Sequence, residues 1–300
     1  MRPRFNSAIT NTMSARTYTT VPGFFVQDLD DADRSFTEQA ILPRFGLIDD
    51  RTDRWTTFVS EIEKLNATAE PGVQYKVFFL GRHGQGYHNV GEAKHGIRGW
   101  CEHWAMLNGD GDITWGPDSQ LTPLGEQQAQ EAHAAWKTER LFEIPLPEKL
   151  YTSPLTRAIR THQVTFGDTP FPSGLKTMIL EVNNMREHNG VHTCDKRRTR
   201  SDIQAAFPEY GFEEGFTEND QLWKANSRET YEDIEVRARC VLDRIFQNDR
   251  EQFISLTAHG GFINCFLRVC HRRPWILPTG GILPVVVKGR IRKHPGHPGK

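Results

Sequence analysis

No uninterrupted apolar run in this 300-residue chain approaches the ~20 residues that a membrane-spanning helix needs, and no short apolar core of the signal-peptide kind precedes the globular sequence. A chain outside the membrane and not secreted is the expectation. Surplus charge is missing too: 37 Lys and Arg stand against 38 Asp and Glu, a formal net charge of -1, which exerts no overall pull toward nucleic acid or a lipid surface. Anion binding has to be local. The five cysteines, Cys101, Cys194, Cys240, Cys265 and Cys270, are odd in number and contain no C-x-x-C pair, which argues against a disulfide framework and against a zinc ribbon. A reducing compartment, the cytoplasm, follows as the expectation. Residues 1–27 carry Arg2, Arg4 and Arg16, several Ser and Thr, and no acid before Asp28. That composition fits a flexible N-terminal segment, and it also suits a mitochondrial presequence. No internal repeat is evident.

What is present is an alternation of strand and helix signals over a globular composition of 37% apolar and 25% charged residues. Residues 52–66 place Trp55, Phe58, Val59, Ile62 and Leu65 on one helical face, a helical extension within 28–72. The nearly continuous apolar run Tyr75–Leu80 predicts a buried strand. Helices are predicted over 122–140, with Thr122 as N-cap and Pro123 first; from Ser153-Pro154 to about Phe166; over 230–246 behind a Thr230 cap; and from Phe262 to Cys270. Lys149–Thr152, Thr177–Glu181, Phe253–Thr257 and Ile282–Lys288 read as strands, the last at a sheet edge because of Pro284. Residues 183–227 are polar and weakly periodic and read as a lid insertion, and 291–300 as a disordered tail. The expectation is a three-layer α/β/α domain over 73–290 on a doubly wound, mainly parallel sheet.

Chemistry-bearing residues fall at the strand ends. Arg82-His83-Gly84 follows the first strand, Arg157 the second, Glu181 or Glu187 the third, and His259 the fourth. In open α/β sheets ligands bind beyond the carboxyl ends of the strands, so these groups should converge. A guanidinium holds phosphate oxygens bidentately, and a neutral imidazole nitrogen can attack phosphorus. Arg157 also sits in the first turns of a helix whose free backbone N–H groups form an anion site.

Four motifs in order carry a resemblance over most of residues 75–290: Arg82-His83-Gly84 with Asn89; Leu121-Thr122-Pro123-Leu124-Gly125 with Gln128 and Ala129; Ser153-Pro154-Leu155 with Arg157-Ala158 and Thr161; and Ala258-His259-Gly260-Gly261. With them the chain resembles the histidine phosphatase, or phosphoglycerate mutase-like, superfamily. The segment His192–Arg198 makes it most similar to the fungal and plant phosphomutase-like branch. The resemblance implies a phosphohistidine on His83 and no metal or other cofactor. Arg82, Asn89 and Arg157 would hold the phosphoryl oxygens, His259 would neutralise transition-state charge in its protonated form, and Glu187, with Glu181 as rival, would be the general acid. It implies a small phosphorylated substrate as partner, with neither nucleic acid nor membrane, and leaves a homodimer open.

Hydrolysis of a phosphorylated metabolite is the expected activity. A mutase using the same residues is the alternative, and a catalytically inactive phospholigand-binding protein is a third. Many mutases carry Glu-Ser after the first glycine where this chain has Gln85-Gly86, which favours hydrolysis and marks Gln85 as a substrate candidate. Lys196, Arg197 and Arg198 either grip a second anionic group of the substrate or form a solvated face paired with Glu213, Glu214 and Glu218. The spacing of His188, His192, Cys194 and Asp195 invites a metal, but no helical pattern aligns them and no metal is expected. His88 and His95 flank the glycine-rich turn and either line the pocket or, the preferred reading for single histidines, are supporting or surface groups; Trp100 and Trp104 read either as an aromatic wall or as loop packing.

Overall fold

The computed structural model describes residues 16–29, 39–172, 174–179 and 185–292. At its centre is β2 (Val73–Arg82), whose side chains divide by the two-residue period of extended chain. Phe78 and Leu80 enter one apolar core, Val77 and Phe79 the other. A strand buried on both faces must be covered on both, and helices do it. α6 (Tyr231–Asn248) and α7 (Gly260–Val269) pack on the first face. α1 (Arg54–Ala67), α3 (Pro123–Arg140) and the end of α4 (Thr156–Phe166) pack on the second.

Among the described residues one sheet runs β1 (Arg16–Thr20), β7 (Ile282–Ile291), β2, β6 (Phe253–Ala258), β3 (Lys149–Thr152), β4 (Met178–Ile179), β5 (Gly211–Phe212). From β2 to β5 neighbouring strands are parallel; β7 and β1 add antiparallel to that block. This is the expected three-layer α/β/α architecture on a mainly parallel sheet. Caps read from the sequence do their work: Thr122 accepts the Gly125 N–H at the start of α3 (3.1 Å), and Thr230 and Asp233 form a reciprocal box before α6.

Several expectations are corrected. Within the segment 1–27, expected to be flexible, residues 16–27 are integral: Arg16–Thr20 is a strand paired with Val287–Ile291, and Tyr18, 1% exposed, donates to the Asp243 carboxylate at 2.5 Å. An apolar ring that fills the core beside Phe246 anchors an otherwise polar strand. Residues 1–15 lie outside the described part, as do 293–300 of the expected tail, while Ile291 still pairs with Arg16. The strand containing Pro284 is not at the edge, because β1 lies outside it. Pro284 is tolerated there because the Arg82 N–H bonds Gly281, which by alternation makes the Phe79–Pro284 pair a non-bonded one, and the β1 ladder stops at Thr20–Val287. Within the expected lid of 183–227, the described part is no loose flap. It carries α5 (Arg200–Ala206) and β5, and it buries Ile203, Phe207, Tyr210 and Phe216 against Ile159 and Ile179. Only β4 represents the strand expected over 177–181, and 180–184 lie outside the described residues.

Tyr18→Ala is expected to cost about 3–5 kcal/mol, the range for truncating a buried aromatic, measured by urea denaturation at neutral pH. A loss below about 1 kcal/mol would make β1 a peripheral strand.

Candidate active site

His83 follows β2 directly, and two backbone bonds pin it: its N–H donates to the carbonyl of Ala258, the last residue of β6 (3.0 Å), and its carbonyl accepts from Gly280 (3.0 Å). The turn that follows is clamped against α3 and α4. Gly84 N–H donates to Thr161 Oγ1 (2.9 Å), which in turn donates to the Arg157 carbonyl (2.7 Å). Gln85 N–H donates to Gln128 Oε1 (2.7 Å), and Thr122 Oγ1 donates to Gln85 Oε1 (2.8 Å). The approach of loop to helix is so close that a Cβ on Gly84 would stand 2.3 Å from the Gly125 carbonyl oxygen, and one on Gly125 would stand 2.1 Å from that of Gln85. The Thr122–Gln128 motif therefore holds the histidine loop in place. Gln85, expected as a substrate contact, spends its side-chain oxygen on the same clamp.

Within this frame His83 Nδ1 lies 2.7 Å from the Gly84 carbonyl. A carbonyl only accepts, so Nδ1 carries the proton and Nε2 presents a lone pair. Burial, then the charges of Arg157 and Arg82, hold the His83 pKa well below 6.5. The His259 ring lies 5.0 Å from that of His83, centroid to centroid, with Nε2 2.7 Å from Ser153 Oγ and an enclosed Nδ1 that has no protein partner. Its pKa is likewise depressed, first by burial and then by Arg157. The protonated form expected for His259 is therefore not that of the unliganded protein.

Arg157 is fully buried. Nη1 donates to the Cys194 carbonyl (2.7 Å) and Nη2 to Asp195 Oδ1 (2.8 Å), while Nε is enclosed without a partner. One edge of the guanidinium is anchored, and the Nε edge is left for a ligand. The helix N-terminus expected beside it is partly taken up: α4 starts at Thr156, and Asp118 accepts from the Thr156 N–H (2.8 Å) and hydroxyl (2.6 Å). Ser153, read from the sequence as its cap, is shared: its Oγ accepts from the Leu155 N–H just before α4 (3.4 Å) and lies 2.7 Å from His259 Nε2, since a buried ring nitrogen needs a partner. Arg82 donates Nη1 to the Leu277 carbonyl (2.7 Å) and keeps an enclosed, unpartnered Nε. At the start of α2 (Tyr87–Glu102), Asn89 accepts the Gly86 N–H through Oδ1 (2.9 Å), which leaves its amide to donate. Glu187 reaches the amino end of α7: Oε2 accepts from Gly261 N–H (3.1 Å) and Oε1 from His188 N–H (3.3 Å). Glu181 lies outside the described residues.

Of the basic cluster, Arg197 is buried and donates to the carbonyls of Arg198, Thr217, Glu218 and Asn219. It holds its own loop, so the expectation of a substrate contact is withdrawn for it. Lys196 is exposed over the Trp223 ring, and Arg198 is half-buried with Nε 3.8 Å from Asp118. His192, Cys194 and Asp195 bring one ligand atom each within 4.8 Å of one another. Yet the Asp195 oxygens face Arg157 and Arg228 (2.8 and 3.5 Å), and burial pushes the Cys194 thiol well above its usual pKa. The donor set fits charge pairing and a neutral thiol better than a cation. Trp100 is buried against Trp115, and His95 stacks on Trp104 at 4.1 Å while pairing with Asp110, which makes these loop packing. Sequence reasoning missed Asp118, and it weighed Asp195 only as a metal ligand and not as the partner of Arg157. The signal was there in principle, since a buried arginine and a buried helix start each demand an acceptor.

The family model described as "Histidine phosphatase superfamily (branch 1)" matches residues 78–278. A protein of Arthroderma benhamiae called "Probable phosphoglycerate mutase" is 41% identical over 283 residues, 90% of this chain and 84% of that one. "Phosphomutase-like protein 3" of Candida albicans is 37% identical over 213 residues, 71% of this chain and 65% of that one. Among solved structures, a mycobacterial glucosyl-3-phosphoglycerate phosphatase aligns at 20% identity with a TM-score of 0.41, over 71% of this chain and 91% of that one.

Two outcomes are expected from this geometry. His83, His259 and His162, the last with a pKa near 3, stay neutral in the folded protein while the unfolded chain takes up protons below about pH 6.5. Their stability contribution is therefore complete above that pH and is lost as pH falls, by up to about 1.4 kcal/mol per unit for each group. Urea titrations at pH 7 and 5 should show the loss, and His162→Gln should reduce it by about one proton's worth. Asp195→Ala, which strips Arg157 of its carboxylate, should cost about 3–5 kcal/mol; an unchanged denaturation midpoint would contradict the pairing.

Proposed function

The chain belongs to the histidine phosphatase superfamily, whose members are phosphatases or mutases, and from that premise we propose that it is a metal-independent phosphatase acting on a small phosphorylated metabolite through His83. The observation that carries the reading is the His83 imidazole held neutral, with Nδ1 committed to the Gly84 carbonyl and its Nε2 lone pair within a cluster of buried cations. Nε2 attacks phosphorus, the N–P bond forms, and the P–O bond to the leaving group breaks. Arg82, the Nε edge of Arg157, and the Asn89 amide take the phosphoryl oxygens, and a bound dianion favours the protonated form of His259, which then adds a charge-assisted donor through Nδ1. Glu187 gives its proton to the leaving oxygen. In the second half-reaction water attacks phosphohistidine, its proton passes to Glu187, and inorganic phosphate is released. Among the substrate candidates, Lys196 and Arg198 remain with side chains not enclosed by backbone acceptors.

The names of the fungal relatives favour a second reading, a mutase, in which the phosphoryl group returns to a reoriented intermediate instead of passing to water. A panel of phosphorylated metabolites, assayed for free phosphate with and without EDTA and alongside acid-labile phosphoenzyme trapping, separates the two. Phosphate release that survives EDTA and disappears in His83→Ala is expected. Transfer between hydroxyls without free phosphate favours the mutase, and turnover in His83→Ala overturns the mechanism. Binding without turnover in wild type favours the inactive binding protein. Glu187→Gln should slow alkyl phosphates by about 10²–10⁴-fold but p-nitrophenyl phosphate far less, because that leaving group needs no proton. Equal losses on both would remove Glu187 from the acid role and return Glu181 to it.

A further inference from the structure

Gly86 is a glycine without a backbone reason. Its φ of -100° and ψ of 162° are extended geometry open to any residue. Space is the reason: a Cβ there would stand 2.6 Å from His88 Nδ1, 2.8 Å from His88 Cε1 and 3.2 Å from the Gln120 carbonyl. The imidazole of His88 occupies the place where a side chain at position 86 would begin. Its ring lies 5.3 Å from that of His83, on a backbone fixed by a bond from the His88 N–H to Ser119 Oγ (3.0 Å). With Nδ1 enclosed over Gly86 and unpartnered, Nε2 is the nitrogen left to meet a ligand.

We propose that His88 is a further catalytic residue, donating from Nε2 to an oxygen of the phosphoryl group on its way to and from His83, and that Gly86 exists to seat this imidazole. The inference rests on the phosphoryl-transfer reading above. Burial and the nearby charges of Arg157 and His83 favour the neutral ring, which gives a hydrogen bond to a crowded anion without adding another cation. In this reading the Gln85-Gly86 departure loses no contact: the side chain absent at position 86 is replaced by one arriving from position 88.

The experiment takes the full chain and four variants, His88→Ala, His88→Gln, Gly86→Ala and the double Gly86→Ala/His88→Ala, with folding checked by thermal melting. Each is measured for kcat/KM on p-nitrophenyl phosphate and for inhibition by orthovanadate. His88→Ala should lower kcat/KM by about 10- to 100-fold, the worth of one hydrogen bond to a charged group, and weaken vanadate in parallel. Gln, which keeps an N–H donor at similar reach, should recover part of both. Gly86→Ala should match His88→Ala, and the double variant should be no worse than either single one, because both remove the same imidazole. Wild-type kcat/KM and vanadate affinity in folded His88→Ala would overturn the proposal. So would a Gly86→Ala penalty that persists in full on the His88→Ala background. If wild type itself forms no phosphohistidine, it is the phosphoryl-transfer reading that fails; if it does and the variants behave like wild type, only the role of His88 falls.

Discussion

A guanidinium that cannot give up its proton lies buried among three imidazoles that can. Arg157 has no exposed surface, and after desolvation its charge is the largest influence depressing the pKa values of His83, His88 and His259. Burial first, and then the cost of placing a second cation beside Arg157, disfavours the protonated form of each ring. The arrangement survives because Asp195, itself braced by Arg228, returns one negative charge to one edge of the guanidinium. A carboxylate on each edge would neutralise Arg157 and abolish its use. One carboxylate leaves Nε without a protein partner.

The other motifs serve to hold this cluster in register. Thr122, Gly125 and Gln128 form the wall against which the loop after His83 is pressed, and Thr161 ties Gly84 to the backbone of Arg157 itself. The loop that follows His83 and the backbone of Arg157 are thus linked by one hydroxyl. In the proposed reaction, positioning of this kind would organise the attack of imidazole on phosphate, since the orientational cost is met during folding. A Cβ on Gly84 or Gly125 would overlap backbone and force that wall away.

Elements and strand-end residues were legible because each rests on local rules. The alternation in β2, the Thr-Pro start of α3 and the Thr230 box before α6 are written within a few residues of where they act. Arg82, His83, Arg157 and His259 could be placed together because parallel sheets gather the carboxyl ends of their strands on one side. The failures are partnerships made across the fold. Ser153-Pro154 has the composition of a helix cap, yet Asp118 from a distant loop takes the first N–H of α4 and Ser153 divides its hydroxyl between the Leu155 N–H and His259. Arg197 has the look of a solvent-facing phosphate ligand, yet the carbonyl of Arg198 and three carbonyls of the 217–219 segment absorb it. Polar Arg16–Thr20 shows no apolar alternation, and only Tyr18 reaching the core explains its place at the sheet edge.

By itself the sequence determined the architecture and the family, and it singled out His83 as the imidazole at a strand end, because hydrophobic periodicity, capping and closely spaced motifs are properties of neighbouring residues. Only the tertiary structure decided which nitrogen of His83 is free, which edge of Arg157 is open, why position 86 is glycine, and which of the basic residues are spent on their own loops. Those outcomes depend on acceptors contributed from tens of residues away, and a buried donor is satisfied by whatever the fold brings within 3 Å. Spacing along the chain carries no record of that distance.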